Sequence, residues 1–351
     1  MTARHTSGTR RRWQLAAPGR ANLSFGTGEL PVPGDREIVV RVSAVSLNAR
    51  DNLLIDHGIG FVPDRAEPLV PGSDAAGVVI AAGRSVTRFR ESDRVITTFI
   101  PGWIDGRGPG SARMPNHVTL GGAAQGVLAD HIVLDEEWAA RAPRSLSDAE
   151  ASTLPCAGLT AWTALVERGG IRAGQSVVVL GTGGVAVFAL QLAAAHGAEA
   201  IVVSGDEGKL AKARTLGARH GIDRRKLDWV EEVRRLTGDR GADHIVETVG
   251  GTHLARSLEA AAVCGRVWLV GLQEGLDVAG SFLTIALKRL SVEGIQTGHR
   301  RALEDLVAAV DVTGMKPVID AEYPLEELPA ALDHLARGPF GKVVVSVEGA
   351  A

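Results

Sequence analysis

The chain has 351 residues, 45% apolar and 23% charged, with a mean hydropathy of +0.09. At roughly 100–200 residues per domain, that length supports two domains, each able to bury its own core. With 38 basic and 41 acidic side chains the net charge is −3, which argues against a nucleic-acid binder working through a basic face. Two cysteines, Cys156 and Cys264, cannot build a disulfide framework or a four-thiolate zinc site, and they fit a reducing cytoplasm.

Residues 1–12 (MTARHTSGTRRR) are basic, and no acid precedes Glu29. No apolar segment comes after them, so they predict a disordered leader rather than a secretory signal. The next stretch, to about residue 150, is β-rich. EIVVRVSAVSL (37–47), VPGSDAAGVVIAAG (70–83), DRVITTF (93–99) and ADHIVLD (129–135) read as strands. Residues 100–128 carry Gly and Pro with few apolar runs and read as a long lobe or loop. SLSDAEASTL (145–154) sets Ser and acids ahead of an Ala/Leu stretch, a helix-start signal.

From about residue 157 strands and helices alternate. SVVVLG (176–181) precedes a helix through Ala195, EAIVVS (199–204) a helix near 207–216, and ADHIVETVG (242–250) the segment LARSLEAAA. GRVWLVG (265–271) and RLSVEGIQT (289–297) continue the series, which is the pattern of a parallel sheet covered by helices. Helices over 301–310 and 324–336 and a strand KVVVSV (342–347) end the chain. Residues 173–198 lack Asp, Glu, Lys and Arg, long enough for a membrane span. Their β-branched start, glycine-rich middle and Ala/Leu-rich end predict a strand, a turn and a helix instead, in a soluble protein that touches no membrane.

That turn is Gly181-Thr182-Gly183-Gly184-Val185-Ala186, a G-x-G-x-x-A between strand and helix. The first glycine permits the tight turn, the second lets backbone approach a pyrophosphate, and the small last residue lets helix and strand pack closely. The phosphates would lie against free N–H groups at the positive helix end. The next strand ends in Ser204-Gly205, where an acid would hold the ribose of NAD. This small polar tip leaves room for a 2′-phosphate, with Lys209, Arg224 and Arg225 available to it, so NADPH is favoured. An inward swing of Asp206 would instead favour NADH.

With Ser46-Leu47-Asn48-Ala49-Arg50-Asp51, Pro71-Gly72-Ser73-Asp74-Ala75-Ala76-Gly77 and Leu154-Pro155-Cys156-Ala157-Gly158-Leu159-Thr160-Ala161-Trp162, the chain resembles the medium-chain dehydrogenase/reductase superfamily. The likeness is to its zinc-free, quinone-oxidoreductase-like branch and runs from Trp13 to Val347. The glycine turn, His244-Ile245-Val246-Glu247 and Phe340-Gly341-Lys342-Val343-Val344 complete it. It implies an α/β chain: a GroES-like catalytic domain (13–156 and 299–351) around a Rossmann cofactor domain (157–298). It also implies a homodimer joined through the strand near 289–297. Thr160 is implied at the nicotinamide, and Gly184, Val185, Val249, Gly271, Leu272, Phe340 and Lys342 elsewhere along the cofactor.

Zinc-dependent relatives set Cys, His and Cys on a catalytic metal; the matching positions here are Asn48, Ser73 and Cys156. One thiolate does not make a three-ligand site, and the lobe that would carry a structural zinc has no cysteine. His117 and His131 near it read as surface or packing residues, so no zinc is expected. Without a Lewis acid, hydride delivery to a quinone or conjugated enone or enal is easier than alcohol oxidation. Asn48 is the candidate to orient substrate or nicotinamide, or else a helix N-cap. Arg50 and Asp51 read as an ion pair, and Ser73 and Asp74 as lining the cleft. Ala49 and Trp103 are candidate pocket residues, Trp103 alternatively a lobe anchor. The positions that carry tyrosine in many zinc-free relatives hold Ala49 and His131, so solvent or the cofactor's 2′-hydroxyl would supply the proton. Two other functions stay open: a zinc-free dehydrogenase of an alcohol, ketone or biosynthetic intermediate, and a nucleotide-binding protein without turnover.

Overall fold

The structure, a computed structural model, describes residues 8–115 and 118–347. Its first strands are β1 (Thr9–Leu15), β2 (Leu23–Glu29) and β3 (Glu37–Ser46), followed by helix α1 (Ala49–His57). Next come β4 (Asp74–Ala82), β5 (Arg94–Thr97), β6 (His131–Asp135), β7 (Ala139–Arg141), α2 (Asp148–Ala151) and α3 (Leu159–Trp162), the last flanked by π-helical turns. β8 (Ser176–Leu180), α4 (Gly184–Ala195), β9 (Glu199–Ser204), α5 (Glu207–Thr215), β10 (His220–Asp223) and α6 (Trp229–Leu236) come after them. Then come β11 (Ala242–Glu247), α7 (Leu254–Ala260), β12 (Ala261–Leu269), α8 (Phe282–Lys288) and β13 (Ser291–Gly294). α9 (Arg300–Thr313), β14 (Ile319–Pro324), α10 (Leu328–Ala336) and β15 (Lys342–Ser346) close the chain.

These elements form two compact units, one running to Cys156 and resuming at His299, the other Ala157–Gly298. In the first, a sheet of order β14-β15-β3-β4-β5-β7 also pairs β6 with β3, and β1 and β2 form a separate antiparallel pair. β3 is apolar on both faces because both are covered; Ile38, Val45 and Leu47 are buried with Val343 and Val345 of β15. Strand register sets the geometry at one end of this sheet. Ser46 lies opposite Asp74 on one side and Val344 on the other, so three chain segments far apart in sequence end at one place.

The second unit holds six parallel strands in the order β10-β9-β8-β11-β12-β13. Strand order reverses between β8 and β11, which leaves a crevice outside their carboxyl ends. β8 is buried along its whole length, and the uncharged run after Ala173 resolves into β8, the glycine turn and α4. No helix among the described residues is long and apolar enough to cross a membrane.

Three expectations need correction. The leader expected over 1–12 gives way to strand at Thr9, because β1 pairs with β2 and Arg11 reaches Asp130 at 3.2 Å; residues 1–7 lie outside the described residues. The helix expected from residue 324 starts at Leu328, since Pro324 still belongs to β14. Several elements have no counterpart in the sequence reading, among them α1, α6, α8, β1, β2, β7, β10 and β14. Charged residues on exposed helix faces hid the first two, and β10 (HGID) is only four residues long.

Inside the second unit His244 is 1% exposed, accepts the Trp268 indole N–H at Nδ1 (3.3 Å) and meets Gln175 through Nε2 at 3.2 Å. Burial, with the Arg266 charge, lowers its pKa from 6.5 to about 4. The neutral ring's contribution is therefore complete above pH 6.5 and is lost as pH falls toward 4, by at most about 3 kcal/mol. Thermal melts between pH 7.5 and 4.5 are expected to fall more steeply for the wild type than for His244→Phe; parallel curves would contradict it.

Candidate functional site

In the first unit the ends of β3, β4 and β15 converge on a buried polar network. Asn48, the residue before α1, has the extended backbone of an N-cap and forms a capping box with Asp51, although its carboxamide makes no close cap bond. Oδ1 accepts from Lys342 Nζ at 2.5 Å, and Nδ2 reaches Ser73 Oγ at 3.5 Å. Asp51 supplies the other half of the box by accepting the Asn48 N–H at 2.8 Å. Lys342 also donates to the Leu47 carbonyl at 2.6 Å. Ser73 donates to Asp74 Oδ1 at 2.6 Å, and Asp74 Oδ2 accepts the Cys156 N–H at 3.0 Å.

Water is excluded from this network: Asn48 is 8% exposed, Lys342 3%, Asp51 2%, and Ser73 and Asp74 are fully buried. Burial raises Asp51 to about 6 despite the Arg50 charge, and raises Asp74 against the pull of Lys342. Burial likewise lowers Lys342 and pushes the Cys156 thiol up, so Cys156 stays a thiol. The carboxyl groups of Asp74 and Asp51 oppose the shift at Lys342, and Lys342 opposes theirs.

The other expected residues of this unit divide. Ala49 is exposed on the first turn of α1. The Arg50–Asp51 ion pair does not form: Arg50 donates to Leu120 O and Thr119 Oγ1 and lies over the Phe99 ring, while Asp51 turns to its own helix end. Trp103 acts as a lobe anchor. Its indole donates to Gly106 O at 3.0 Å, its carbonyl accepts Arg300 N at 2.9 Å, and its ring meets His299 edge-on. His131 pairs with Asp130 at 3.0 Å, Phe340 is buried, and His117 lies outside the described residues.

In the second unit, Gly181 has φ +83°, a conformation that glycine adopts without strain, and a Cβ at Gly183 would meet no atom within 4 Å. That open approach leads to the N-terminus of α4, which no side chain caps. Gly184 and Val185 form its first turn, so backbone N–H groups and the helix dipole point where a pyrophosphate would bind. The turn after β11 is braced by Glu247, which sequence reasoning missed although an acid ending an apolar strand (HIVE) was a visible signal. This buried carboxylate accepts Val249 N and Gly250 N at 2.8 and 3.1 Å and also holds His253 and Ser257. Gly271 passes so close that a Cβ there would lie 1.8 Å from Thr248 O; Leu272 next to it is partly exposed. Thr160 is buried within α3.

At the end of β9, a Cβ on Gly205 would lie 3.4 Å from Arg225 Nε and 3.6 Å from Arg224 Nε. Asp206 does not swing inward: it caps α5 by accepting Lys209 N at 3.0 Å, and that bond lowers its pKa. These residues fit a dinucleotide, and two guanidinium groups lie beside Gly205.

The first unit does not fit zinc. At the three positions that carry the metal in zinc-dependent relatives stand a carboxamide, a hydroxyl committed to Asp74 and a protonated thiol. An ammonium 2.5 Å from Asn48 Oδ1 adds a positive charge where a dication would need ligands. Among the described residues no three His, Cys, Asp or Glu side chains are grouped to hold a metal.

The pattern described as "Alcohol dehydrogenase GroES-like domain" matches residues 34–144, and that described as "Zinc-binding dehydrogenase" matches 184–311. A zinc-type alcohol dehydrogenase-like protein of Schizosaccharomyces pombe is 34% identical over 323 residues, 89% of this chain and 91% of its own. Human quinone oxidoreductase is 26% identical over 90% of this chain and 91% of its own. A crystal structure from Sinorhizobium meliloti 1021, assigned as an alcohol dehydrogenase, superposes with a TM-score of 0.94 at 55% identity, covering 97% of this chain and 99% of that one. The chain belongs to the medium-chain dehydrogenase/reductase family of NAD(P)H-dependent oxidoreductases.

Proposed function

We propose that this oxidoreductase uses NADPH, works without zinc, and reduces a quinone or a conjugated enone or enal. The observation that carries the reading is the buried network around Asn48, which offers hydrogen-bond donors and no metal ligand set. The likeness to human quinone oxidoreductase supports it. When bound, the nicotinamide supplies a hydride. Reduction of a conjugated carbonyl places that hydride on the β-carbon and develops negative charge on the carbonyl oxygen. An Asn48 Nδ2–H is suited to stabilise that charge, because a preorganised donor away from water reorganises little as the charge forms. The proton that completes reduction comes from solvent or the cofactor's 2′-hydroxyl, since Tyr323, the single tyrosine, is bonded to His334 at 2.9 Å.

The cofactor preference rests on Gly205 between Arg224 and Arg225, and on Asp206 being occupied as a helix cap. Both cysteines are free, which suits a reducing compartment. A second reading, reversible oxidation of an alcohol, draws on the Sinorhizobium meliloti relative. NADPH and NADH consumption with a small quinone and a conjugated enal, with and without chelator, separates the readings. Chelator-insensitive turnover favouring NADPH is expected. Turnover confined to alcohols would support the second reading, and tight NADPH binding without turnover of either substrate class would indicate a non-catalytic role. Replacing both arginines (Arg224→Ala with Arg225→Ala) is expected to raise the KM for NADPH by about tenfold or more while leaving that for NADH nearly unchanged.

The assembly we propose is a homodimer built on β13. This strand pairs only with β12 among the described residues and lies at the sheet edge. Next to it in sequence, Phe282, Leu283 and Leu287 of α8 are 81, 62 and 72% exposed, an apolar surface that a second copy would cover. Light scattering is expected to give about twice the 36.7 kDa chain mass for the wild type and the monomer mass for Phe282→Asp with Leu287→Asp. A monomeric wild type would refute the dimer.

A further inference from the structure

We infer that Lys342 is the positioning residue of the site: its ammonium clamps the Asn48 carboxamide with Oδ1 inward, so that the amide N–H donors face away from it. The inference rests on the reductase reading for its kinetic consequence but not for its geometry.

An asparagine side chain can lie in two orientations related by a flip, and the surrounding groups decide between them. Here the decision has one sign. An ammonium has three donors and no acceptor, so the atom of Asn48 that it meets at 2.5 Å must be the oxygen. On the other side Ser73 Oγ gives its proton to Asp74 at 2.6 Å, so toward Nδ2 it is an acceptor. Both neighbours therefore impose the same orientation. Lys342 itself cannot drift, because the Leu47 carbonyl takes a second of its donors at 2.6 Å and Leu47 N donates to Val343 O at 2.9 Å, locking β15 beside the end of β3. Buried at 3% exposure and bonded to these groups, the ammonium is not offered to a phosphate, which separates this role from a cofactor contact. The positive charge that a metal would bring to Asn48, Ser73 and Cys156 is supplied by a side chain, and what it fixes is a donor.

The test has an arm that needs no substrate. In a nitrogen-15 correlation spectrum of the full chain, the Asn48 side-chain amide pair is assigned as the one lost in Asn48→Asp. Lys342→Met is expected to move or broaden that pair, and Cys264→Ser to leave it in place. A pair unmoved by Lys342→Met overturns the inference even if the enzyme reduces nothing. Failure to reduce any quinone or enal counts against the reductase reading alone, and the spectrum still decides the clamp.

With an active enzyme, Lys342→Met and Asn48→Ala should each lower kcat about tenfold or more while NADPH affinity stays within about twofold. The double variant should be no worse than the weaker single variant by more than about twofold, because removing the clamp and removing what it clamps delete one interaction. Lys342→Arg, which keeps a charged donor, should recover part of kcat. Losses that multiply, or weakened NADPH binding with kcat intact, would overturn the inference. If Lys342→Met does not fold, Lys342→Gln replaces it in the same cycle.

Discussion

A buried lysine ties the segments of the first unit together at its polar end. Lys342 lies 294 residues from Asn48, and its bonds to that side chain and to Leu47 O close the sheet where the last strand returns beside β3. A charge taken out of water carries a penalty of several kcal/mol unless its hydrogen-bonding capacity is met and opposite charge lies near. Two of its three donors meet a main-chain and a side-chain oxygen at 2.6 and 2.5 Å, and the carboxyl groups of Asp74 and Asp51 share its surroundings. Removing any member would leave another buried and unpaired, so the network is coupled rather than a set of separate contacts.

The same coupling extends to Asn48 and Ser73. With Asn48 and Ser73 at positions that bear metal ligands in zinc-dependent relatives, the polar end of the unit still needs positive charge to balance Asp74 and Asp51, and Lys342 provides it. The second unit is built on different physics. Six parallel strands bury both faces of the sheet, and the order reversal between β8 and β11 leaves glycines and an uncapped helix end at the carboxyl edge. There Glu247 takes two main-chain N–H groups and so fixes a turn that would otherwise have unpaired donors.

Much of this was legible in the residues themselves. The alternation of β-branched runs with Ala/Leu stretches predicts the second unit, because a strand buried on both faces must be apolar throughout and its covering helices must come in series. The glycine turn is equally legible, since only glycine takes φ +83° without strain at the bend. Less legible were α1 and α6, where exposed charged faces mask a narrow apolar stripe, and β1, where arginines along a half-buried strand resemble a charged tail.

The roles of single side chains were settled at another level. Sequence spacing could place Asn48 at a helix start, but not show that Lys342, from the far end of the chain, meets its carboxamide oxygen. Arg50 and Asp51 are adjacent in sequence yet face different neighbours, because α1 sends consecutive side chains in directions about 100° apart. Asp206 could have turned toward a ribose until α5 began one residue later and claimed its oxygen. Fold class, the glycine turn and the residue types available for chemistry are written in the chain itself, because they depend on local periodicity and backbone sterics. Which of those side chains meet, and which atom of Asn48 meets Lys342, belongs to the folded molecule alone, because hydrogen bonds between segments hundreds of residues apart are set by strand register.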